Sequence, residues 1–227
     1  MIYLIGGPPR CGKTTLAKTF SKQAKISWIS ADTLEVVAGE YMTQEDWDET
    51  HPYSIAHTSN NTFYAEFTAK EIIDLIKAQS LATEPAIHMT ALCSIKDEID
   101  YIIEGYHITP KFAAKLIKKY GAQNIKAVFL VKNDAEKFVT EAVKNPVAND
   151  WLIKESSWFY VAYGLAEDKF KQYYHSYTQS FTDKAEQLRI ENAEKFSLTA
   201  MDTKLWGILD KYVPEFAVDC SKQQVFA

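Results

Sequence analysis

The sequence predicts an α/β fold, in which a β-sheet lies between layers of helices. Short apolar runs alternate along the chain with segments whose apolar residues have helical spacing. A glycine-rich loop separates the first apolar run from the first helical segment. Hydrophobic residues make up 47% of the 227 residues, enough to bury a core of ordinary size. We therefore expect one domain over residues 1–227.

The first element is a short strand followed by a phosphate-binding pattern. Met1 to Ile5 form an apolar run, and Gly7 to Thr14 match G-x-x-x-x-G-K-[ST] at every fixed position. In the next segment Leu16 and Phe20 are four residues apart, on one face of a helix. This strand–loop–helix order makes a chance glycine-rich turn the weaker alternative, and it predicts a nucleotide site.

The residue types of this loop suit a polyphosphate. Gly7 and Gly12 permit close backbone approach, so that N–H groups at the start of a helix can point at phosphate oxygens. Lys13 can place an ammonium beside the β- and γ-phosphates, and the Thr14 hydroxyl can bind Mg²⁺. The predicted nucleotide-binding residues are Gly7, Pro8, Pro9, Arg10, Cys11, Gly12, Lys13, Thr14 and Thr15.

An acidic residue follows the second predicted strand, at 26–30. Asp32 lies just past the end of that strand, where ligands bind in open α/β sheets. Its carboxylate can accept a proton from an acceptor hydroxyl or orient that hydroxyl for attack on a phosphoryl group. The alternative is an Asp that caps the next helix.

The following region predicts a substrate cap over residues 36–80. Its first part, 36–62, is irregular and rich in aromatic and acidic residues, which is typical of a binding segment. A helix is expected over 63–77, and Pro85 is expected to interrupt the ambiguous segment 82–99. His51 and His57 are interpreted as hydrogen-bonded structural residues, because no acidic or cysteine partner has metal-binding spacing.

A second acidic residue ends the clear strand at 101–105. Glu104 is followed by Gly105, and an acid at this position can hold the water shell of Mg²⁺ or orient the acceptor. Pairing with a lysine or capping of a turn are the alternatives. Substrate contact and a structural role are equally open for His107.

The remaining elements continue the alternation of strands and helices. The sequence predicts, in order, a helix at 111–120, a strand at 125–131, a lid loop at 144–157, a tyrosine-rich helix at 158–188, a short strand at 188–192 and a closing helix at 198–213. A tail that is loose or packed as a strap follows.

Composition and charge exclude several classes of protein. The net charge of −5 argues against a broad nucleic-acid surface. Cys11, Cys93 and Cys220 have neither metal-type spacing nor a disulfide pattern. No apolar run approaches the ~20 residues of a membrane span, and no signal-peptide pattern precedes the loop, so we expect a cytoplasmic protein without a membrane partner.

Two segments, residues 6–15 and 102–107, together resemble the P-loop kinases of small molecules. That group includes adenylate-kinase-like, shikimate-kinase-like and chloramphenicol-phosphotransferase-like enzymes, and the second segment is most similar to 2-phosphoglycerate kinases. The order of elements extends the resemblance over roughly the first 135 residues.

The resemblance implies a three-layer P-loop NTPase fold with a five-stranded parallel sheet and a helical cap and lid. It also implies ATP and Mg²⁺ as cofactors, with transfer of the γ-phosphoryl group to a hydroxyl or phosphate of a small acceptor. Lys13, Asp32 and Glu104 would then be catalytic, and Thr14 and Glu104 would bind the metal.

One departure concerns arginine. Members of the group carry lid arginines that hold the transferring phosphoryl group, whereas this chain has only Arg10 and Arg189. Lys144, Lys154 or Arg10 are the candidates to take their place. The competing hypotheses are a nucleotide-dependent ATPase or switch that acts on a protein partner through residues 36–62, and, disfavoured by the acidic balance, a kinase of nucleic-acid ends.

Overall fold

The structure is a computed structural model that describes residues 1–8, 11–51, 68–131, 179, 183–185, 187, 204–205, 207–209 and 216–219, with the backbone alone for residues 69, 72 and 216–219. The elements of this part of the chain are β1 (Ile2–Gly6), α1 (Lys13–Ala24), β2 (Ser27–Ser30), α2 (Ala31–Gly39), α3 (Gln44–Thr50), α4 (Ala69–Lys96), β3 (Tyr101–Glu104), α5 (Pro110–Tyr120), β4 (Ile125–Val131) and β5 (Phe216–Asp219). Residues 183–185, 204–205 and 207–209 are also helical.

The described strands form one sheet in the order β2-β3-β1-β4-β5. The first four strands in this order are parallel, but β5 runs antiparallel to β4. The prediction of a five-stranded parallel sheet is therefore wrong for one strand. Four of the described strands are parallel, and β5 is antiparallel. The chain returns to the free edge of β4 from the segment expected to be a tail, and this pairing satisfies the edge hydrogen bonds.

Burial explains the apolar character of β1 and β4, although β4 also contains the buried Lys126. Every residue of both strands is buried, as expected where helices cover both faces of a parallel sheet. Helix α5 confirms the predicted helix: the Thr109 side chain accepts a hydrogen bond from the Phe112 N–H, and Gly121 follows the last turn.

Helix α4 corrects the expected interruption at Pro85. It is one helix of 28 residues that begins with a capping box at Thr68 and Glu71 and continues through the proline. A proline removes the hydrogen bond to the carbonyl four residues earlier, which here belongs to Leu81. Leu81 is largely exposed, so water can reach that carbonyl and the interruption is tolerated.

The topology locates the ligand-binding edge of the sheet. The connection from β1 leads to β2 on one side, whereas the connection from β3 leads to β4 on the other side. Because crossovers are right-handed, this reversal places α1 and α5 on opposite faces of the sheet. Ligands bind outside the carboxyl ends of the strands where the connections diverge. In this chain that position lies between the ends of β1 and β3.

Several predicted segments lie outside the described residues. These are the lid at 144–157, the strand at 188–192 and most of the tyrosine-rich helix. Of the predicted cap, the described parts are the end of α2, the helix α3 and the first turns of α4, and both α2 and α3 pack on α4. Within the described part of the chain, no helix has the length and apolar character needed to cross a membrane.

Candidate functional site

The phosphate-binding loop follows β1 directly and uses glycine where no other residue fits. Gly7 has φ 127° and Gly12 has φ 90°, both in the region that favours glycine. A Cβ at Gly7 would also lie 2.0 Å from the carbonyl oxygen of Leu130 in β4. The loop is therefore packed against the neighbouring strand, and its backbone path requires both glycines.

The start of α1 is open to an anion. Gly12 is its N-cap residue, and no side chain makes a capping hydrogen bond there. The first intrahelical bond runs from the Leu16 N–H to the Gly12 carbonyl, so the N–H groups of the first turn have no partner within the helix. Unpaired N–H groups and the helix dipole together favour a phosphate at this end.

Lys13 is buried below the loop with its ammonium held by a backbone carbonyl. Its side-chain nitrogen donates a hydrogen bond of 2.7 Å to the Pro8 carbonyl, and the residue is 7% exposed. Burial lowers the pKa of Lys13, while the nearby Cys11, Glu104 and Asp32 act in the opposite direction. The cation thus depends on acidic neighbours for its charge.

Glu104 lies at the end of β3, side by side with the phosphate loop. In the sheet it pairs with Ile5 of β1 and with Ser30 of β2. The Thr14 hydroxyl donates a hydrogen bond of 3.0 Å to its carboxylate, which joins the two residues predicted to bind a metal. Glu104 is 2% exposed, and burial raises its pKa although Lys13 and Thr14 oppose the shift.

Asp32 is on the first turn of α2, and its carboxylate faces solvent. The N-cap residue of this helix is Ser30, whose hydroxyl accepts a hydrogen bond of 3.2 Å from the Asp32 N–H. The capping alternative for Asp32 is therefore wrong. Its side chain is 66% exposed, yet it is near enough to Lys13 and Glu104 to affect the pKa values of both.

The structure thus brings Lys13, Thr14, Asp32 and Glu104 to one edge of the sheet. Of the other predicted nucleotide-binding residues, Gly7, Pro8 and Cys11 are buried, Gly12 is half-buried and Thr15 is exposed on α1. Pro9 and Arg10 lie outside the described residues. The catalytic and binding roles of all these residues stay predictions.

A second cluster, which we call the histidine cluster, lies beside Asp32 and consists of Asp32, Glu35, His51 and His107. His107 is fully buried: its Nδ1 lies 3.5 Å from an Asp32 carboxylate oxygen, and its Nε2 lies 3.3 Å from Glu35 Oε2. On the other side of Glu35, Oε1 lies 3.2 Å from His51 Nε2. The cluster is continuous with the phosphate-loop site through Asp32.

Neighbouring groups hold the histidine cluster in place. The Gln79 amide of α4 donates a hydrogen bond of 2.6 Å to Glu35, and the His51 ring stacks on Trp47 with centroids 3.7 Å apart. Burial acts to raise the pKa of Glu35, but His107, Gln79 and His51 act against it, and the net pKa lies below its ordinary value. Glu35 is therefore ionised at neutral pH.

Sequence reasoning missed Glu35 and interpreted His51 as structural. The available signal was the spacing of Asp32 and Glu35, three residues apart on one helix face. No local pattern could reveal the histidines, because His51 follows α3 and His107 follows β3. Tertiary packing of α2 against both segments creates the cluster.

The predicted Mg²⁺ fits the chemistry of the phosphate-loop site. Magnesium prefers oxygen ligands and binds through one or two protein groups together with substrate phosphates. The Thr14 hydroxyl and the Glu104 carboxylate supply such oxygens, and they already lie in hydrogen-bond contact. Glu104 is also a buried acid that an adjacent cation would stabilise.

Comparison with known proteins agrees with this geometry at the level of the fold class. The model of a family described as "ATPase family associated with various cellular activities (AAA)" matches residues 3–104. With the phosphate loop and the parallel sheet, this match supports a place in the P-loop NTPase superfamily. The chain has a P-loop NTPase-like α/β fold.

Two further comparisons add little to this conclusion. No curated protein matches the chain. Among solved structures, it is similar to the crystal structure of an uncharacterized protein from Eubacterium ventriosum ATCC 27560, with 14% identity, a TM-score of 0.37, and coverage of 78% of this chain and 79% of that one.

Proposed function

We propose that this protein transfers the γ-phosphoryl group of ATP, with Mg²⁺, to a hydroxyl or phosphate of a small acceptor. The observation that carries the proposal is the position of Asp32, an exposed carboxylate beside the buried Lys13 and Glu104 at the carboxyl ends of the strands. In a phosphotransferase, an acid in that position can accept the proton of an acceptor hydroxyl or orient the acceptor.

The phosphate loop would receive the polyphosphate of ATP. Its open helix start provides N–H groups, and Lys13 would exchange the Pro8 carbonyl for a phosphate oxygen. The buried ammonium would then have an anionic partner. This partner would raise the pKa of Lys13 back toward its ordinary value. Mg²⁺, when bound, neutralises charge on the β- and γ-phosphates.

Thr14 and Glu104 would bind the Mg²⁺ that accompanies the nucleotide. In the free protein the Thr14 hydroxyl donates to Glu104. A cation between them would use the same two oxygens and oppose the effect of burial on Glu104. The nucleotide would then be held at the carboxyl ends of β1 and β3.

Asp32 would act on the acceptor. Its backbone is fixed by the α2 cap at Ser30, while its carboxylate stays exposed to solvent. An acceptor hydroxyl within hydrogen-bond reach would lose its proton to Asp32 as it attacks the γ-phosphoryl group in line. This role requires no arginine near Asp32, although charge on the transferring group needs a further cation from elsewhere in the chain.

A second function has its own supporting observation. The family match over residues 3–104 is to ATPases, and this match favours nucleotide hydrolysis coupled to a protein partner as much as transfer to an acceptor. In that function water would take the place of the acceptor. Both functions use the same phosphate-loop residues.

The discriminating experiment measures ADP formation across a panel of small hydroxylated and phosphorylated metabolites. We expect one chemical class of acceptor to stimulate turnover well above the rate with water. Lys13→Ala should strongly reduce turnover with every acceptor, and Asp32→Asn should remove most of the stimulation while ATP still binds.

The control is Lys18→Ala, which changes an exposed lysine on the same helix that lies over Trp28. It should turn over ATP at the wild-type rate. ATP turnover that is indifferent to every acceptor and to the loss of Asp32 would exclude the transferase and leave the ATPase. Absence of ATP binding would exclude both.

A further inference from the structure

The histidine cluster contains a buried side chain whose polar atoms are unsatisfied. His107 is fully buried, and its two ring nitrogens face Asp32 and Glu35 at ion-pair distances of 3.5 Å and 3.3 Å, but neither contact has the geometry of a well-formed hydrogen bond. Buried polar groups nearly always make well-formed hydrogen bonds, so a buried imidazole that only faces two carboxylates at these distances indicates a place where an ion can bind to one of its nitrogens. His51 Nε2, on the far side of Glu35, is also buried and unsatisfied.

The surrounding groups have the composition of a metal site. Asp32, Glu35 and His107 each offer one ligand atom, and the three atoms lie within 4.8 Å of one another. Two ligand bonds of about 2.0–2.2 Å span at most ~4.4 Å, so the three side chains need to close in by a few tenths of an ångström or more to bind one ion. Two of the ligands come from one face of α2, and the third comes from the turn after β3.

We propose that Asp32, Glu35 and His107 form a binding site for one divalent first-row transition metal, of the class of Mn²⁺ or Zn²⁺. Two carboxylates balance the charge of a divalent cation when the imidazole is neutral. The imidazole ligand favours this class over Mg²⁺ or Ca²⁺, which prefer oxygen ligands alone. Because Asp32 is exposed while Glu35 and His107 are buried, the ion would enter from solvent past Asp32.

The second shell of such a site is already present. The Gln79 amide donates to Glu35, which fixes the carboxylate as metal-ligating carboxylates are usually fixed. His107 stacks on Tyr106, with ring centroids 3.9 Å apart, and this contact restricts rotation of the imidazole. Pre-oriented ligands lose little conformational freedom when an ion binds.

This site is separate from the one proposed for Mg²⁺ with ATP. The nucleotide site uses Thr14 and Glu104, whereas the new site adds Glu35 and His107 and shares Asp32 with the proposed acceptor side. Asp32 borders both, so an ion here would place a second positive charge beside the acceptor. The inference does not depend on phosphoryl transfer, and its test uses protein without nucleotide.

The experiment adds Mn²⁺ to protein stripped with a chelator and then freed of it, and follows binding by electron paramagnetic resonance. We expect one Mn²⁺ per chain and a spin-echo spectrum with coupling to an imidazole nitrogen. Zn²⁺ should displace the Mn²⁺ signal. Glu35→Gln and His107→Gln should each weaken Mn²⁺ binding by about tenfold or more.

Two control variants separate this site from others. His88→Gln changes a histidine that contacts Tyr120 between α4 and α5, and it should bind Mn²⁺ as the wild type does. Thr14→Ala should also retain the ion and the nitrogen coupling, because Thr14 belongs to the nucleotide site.

The nitrogen coupling is measured on the wild-type protein, so the test does not depend on any variant folding. Failure to bind Mn²⁺ and Zn²⁺ would overturn the proposal. Binding without nitrogen coupling, or binding that is lost in Thr14→Ala but not in His107→Gln, would overturn it too. A third outcome would also overturn it. If the stripped protein takes up no metal and both His107 nitrogens carry protons, the cluster is an imidazolium between two carboxylates and not a metal site.

Discussion

Glu35 and Glu104 are two buried carboxylates at the same edge of the sheet, and their surroundings shift their pKa values in opposite directions. Burial dominates at Glu104 and raises its pKa, despite Lys13 and the Thr14 hydroxyl. At Glu35 burial is outweighed by His107, Gln79 and His51, so its pKa is lowered. Similar burial therefore leads to different charge behaviour.

The difference indicates how much each carboxylate is stabilised by an added cation. Glu104 has one buried lysine and the hydroxyls of Thr14 and Ser30 beside it, and burial lowers the pKa of that lysine as well. Its carboxylate gains most from positive charge that arrives with the nucleotide. Glu35 has two imidazole rings and the Gln79 amide around it, and these groups lower its pKa before any ligand binds.

The largest expected effect is that of replacing Lys13, the buried lysine beside Glu104. Lys13→Ala removes the cation that the phosphate loop offers to the nucleotide. Turnover of ATP should fall by roughly 10³-fold, as for loss of a preorganised charge at a transition state. Steady-state kinetics measures the change, with Lys18→Ala as the matched control and circular dichroism as the check on folding.

The next effect tests the residue that borders both sites. Asp32→Asn keeps the shape of the side chain but removes its charge and its capacity to accept a proton. Acceptor-dependent turnover should fall by roughly 10²-fold. Nucleotide affinity, measured by calorimetry, should stay near the wild-type value, because the role proposed for Asp32 concerns the acceptor; a large loss of nucleotide affinity would contradict that role.

Glu35→Gln tests the effect of the lowered pKa of Glu35 on the free energy of unfolding. A lowered pKa in the folded state stabilises the fold above the ordinary pKa near 4.5, and this contribution is lost as the pH falls through the lower, folded value. The variant should therefore be destabilised at neutral pH, by about 1–3 kcal/mol for a broken buried polar network. The deficit should shrink in acid, as measured by urea unfolding at a series of pH values.

Glu104→Gln should show the opposite trend with pH. A raised pKa in the folded state means that ionisation of Glu104 disfavours the fold as the pH rises from 4.5 through the folded value. Relative to the wild type, the variant should gain stability over that range. The same urea unfolding series checks it in nucleotide-free protein, and parallel trends for the two glutamate variants would break the comparison.

The smallest effect concerns the helix that connects the two sites. Ser30 caps α2, which carries both Asp32 and Glu35. Ser30→Ala should reduce the free energy of unfolding by about 1 kcal/mol, the usual value for loss of an N-cap. Thermal unfolding measures it, and Thr43→Ala at the cap of the neighbouring α3 is the matched comparison, with an effect of similar size on stability.

Much of the fold could be predicted because its signals are local. The phosphate loop, the strand at Ile125–Val131 and the helix after Thr109 each have an apolar pattern or a cap that identifies them. Asp32 and Glu104 could be placed together because the carboxyl ends of parallel strands share one edge. The antiparallel β5 could not be predicted, since its pairing with β4 depends on the return path of the chain.

The rest of the candidate site depends on tertiary packing. Pro85 is a strong local signal for a break, yet helix α4 continues because the lost hydrogen bond lies on an exposed side. His51 and His107 meet at Glu35 only when the segments after α3 and β3 fold against α2. A single sequence contains no pattern that connects residues so far apart.

The most direct test of the proposed function follows the γ-phosphoryl group itself. ATP labelled in that group is incubated with Mg²⁺, the wild-type protein and the acceptor panel, and the products are separated. We predict that the label appears on an organic acceptor with the wild type and not with Asp32→Asn. Label found entirely in inorganic phosphate, with every acceptor tested, would contradict the account.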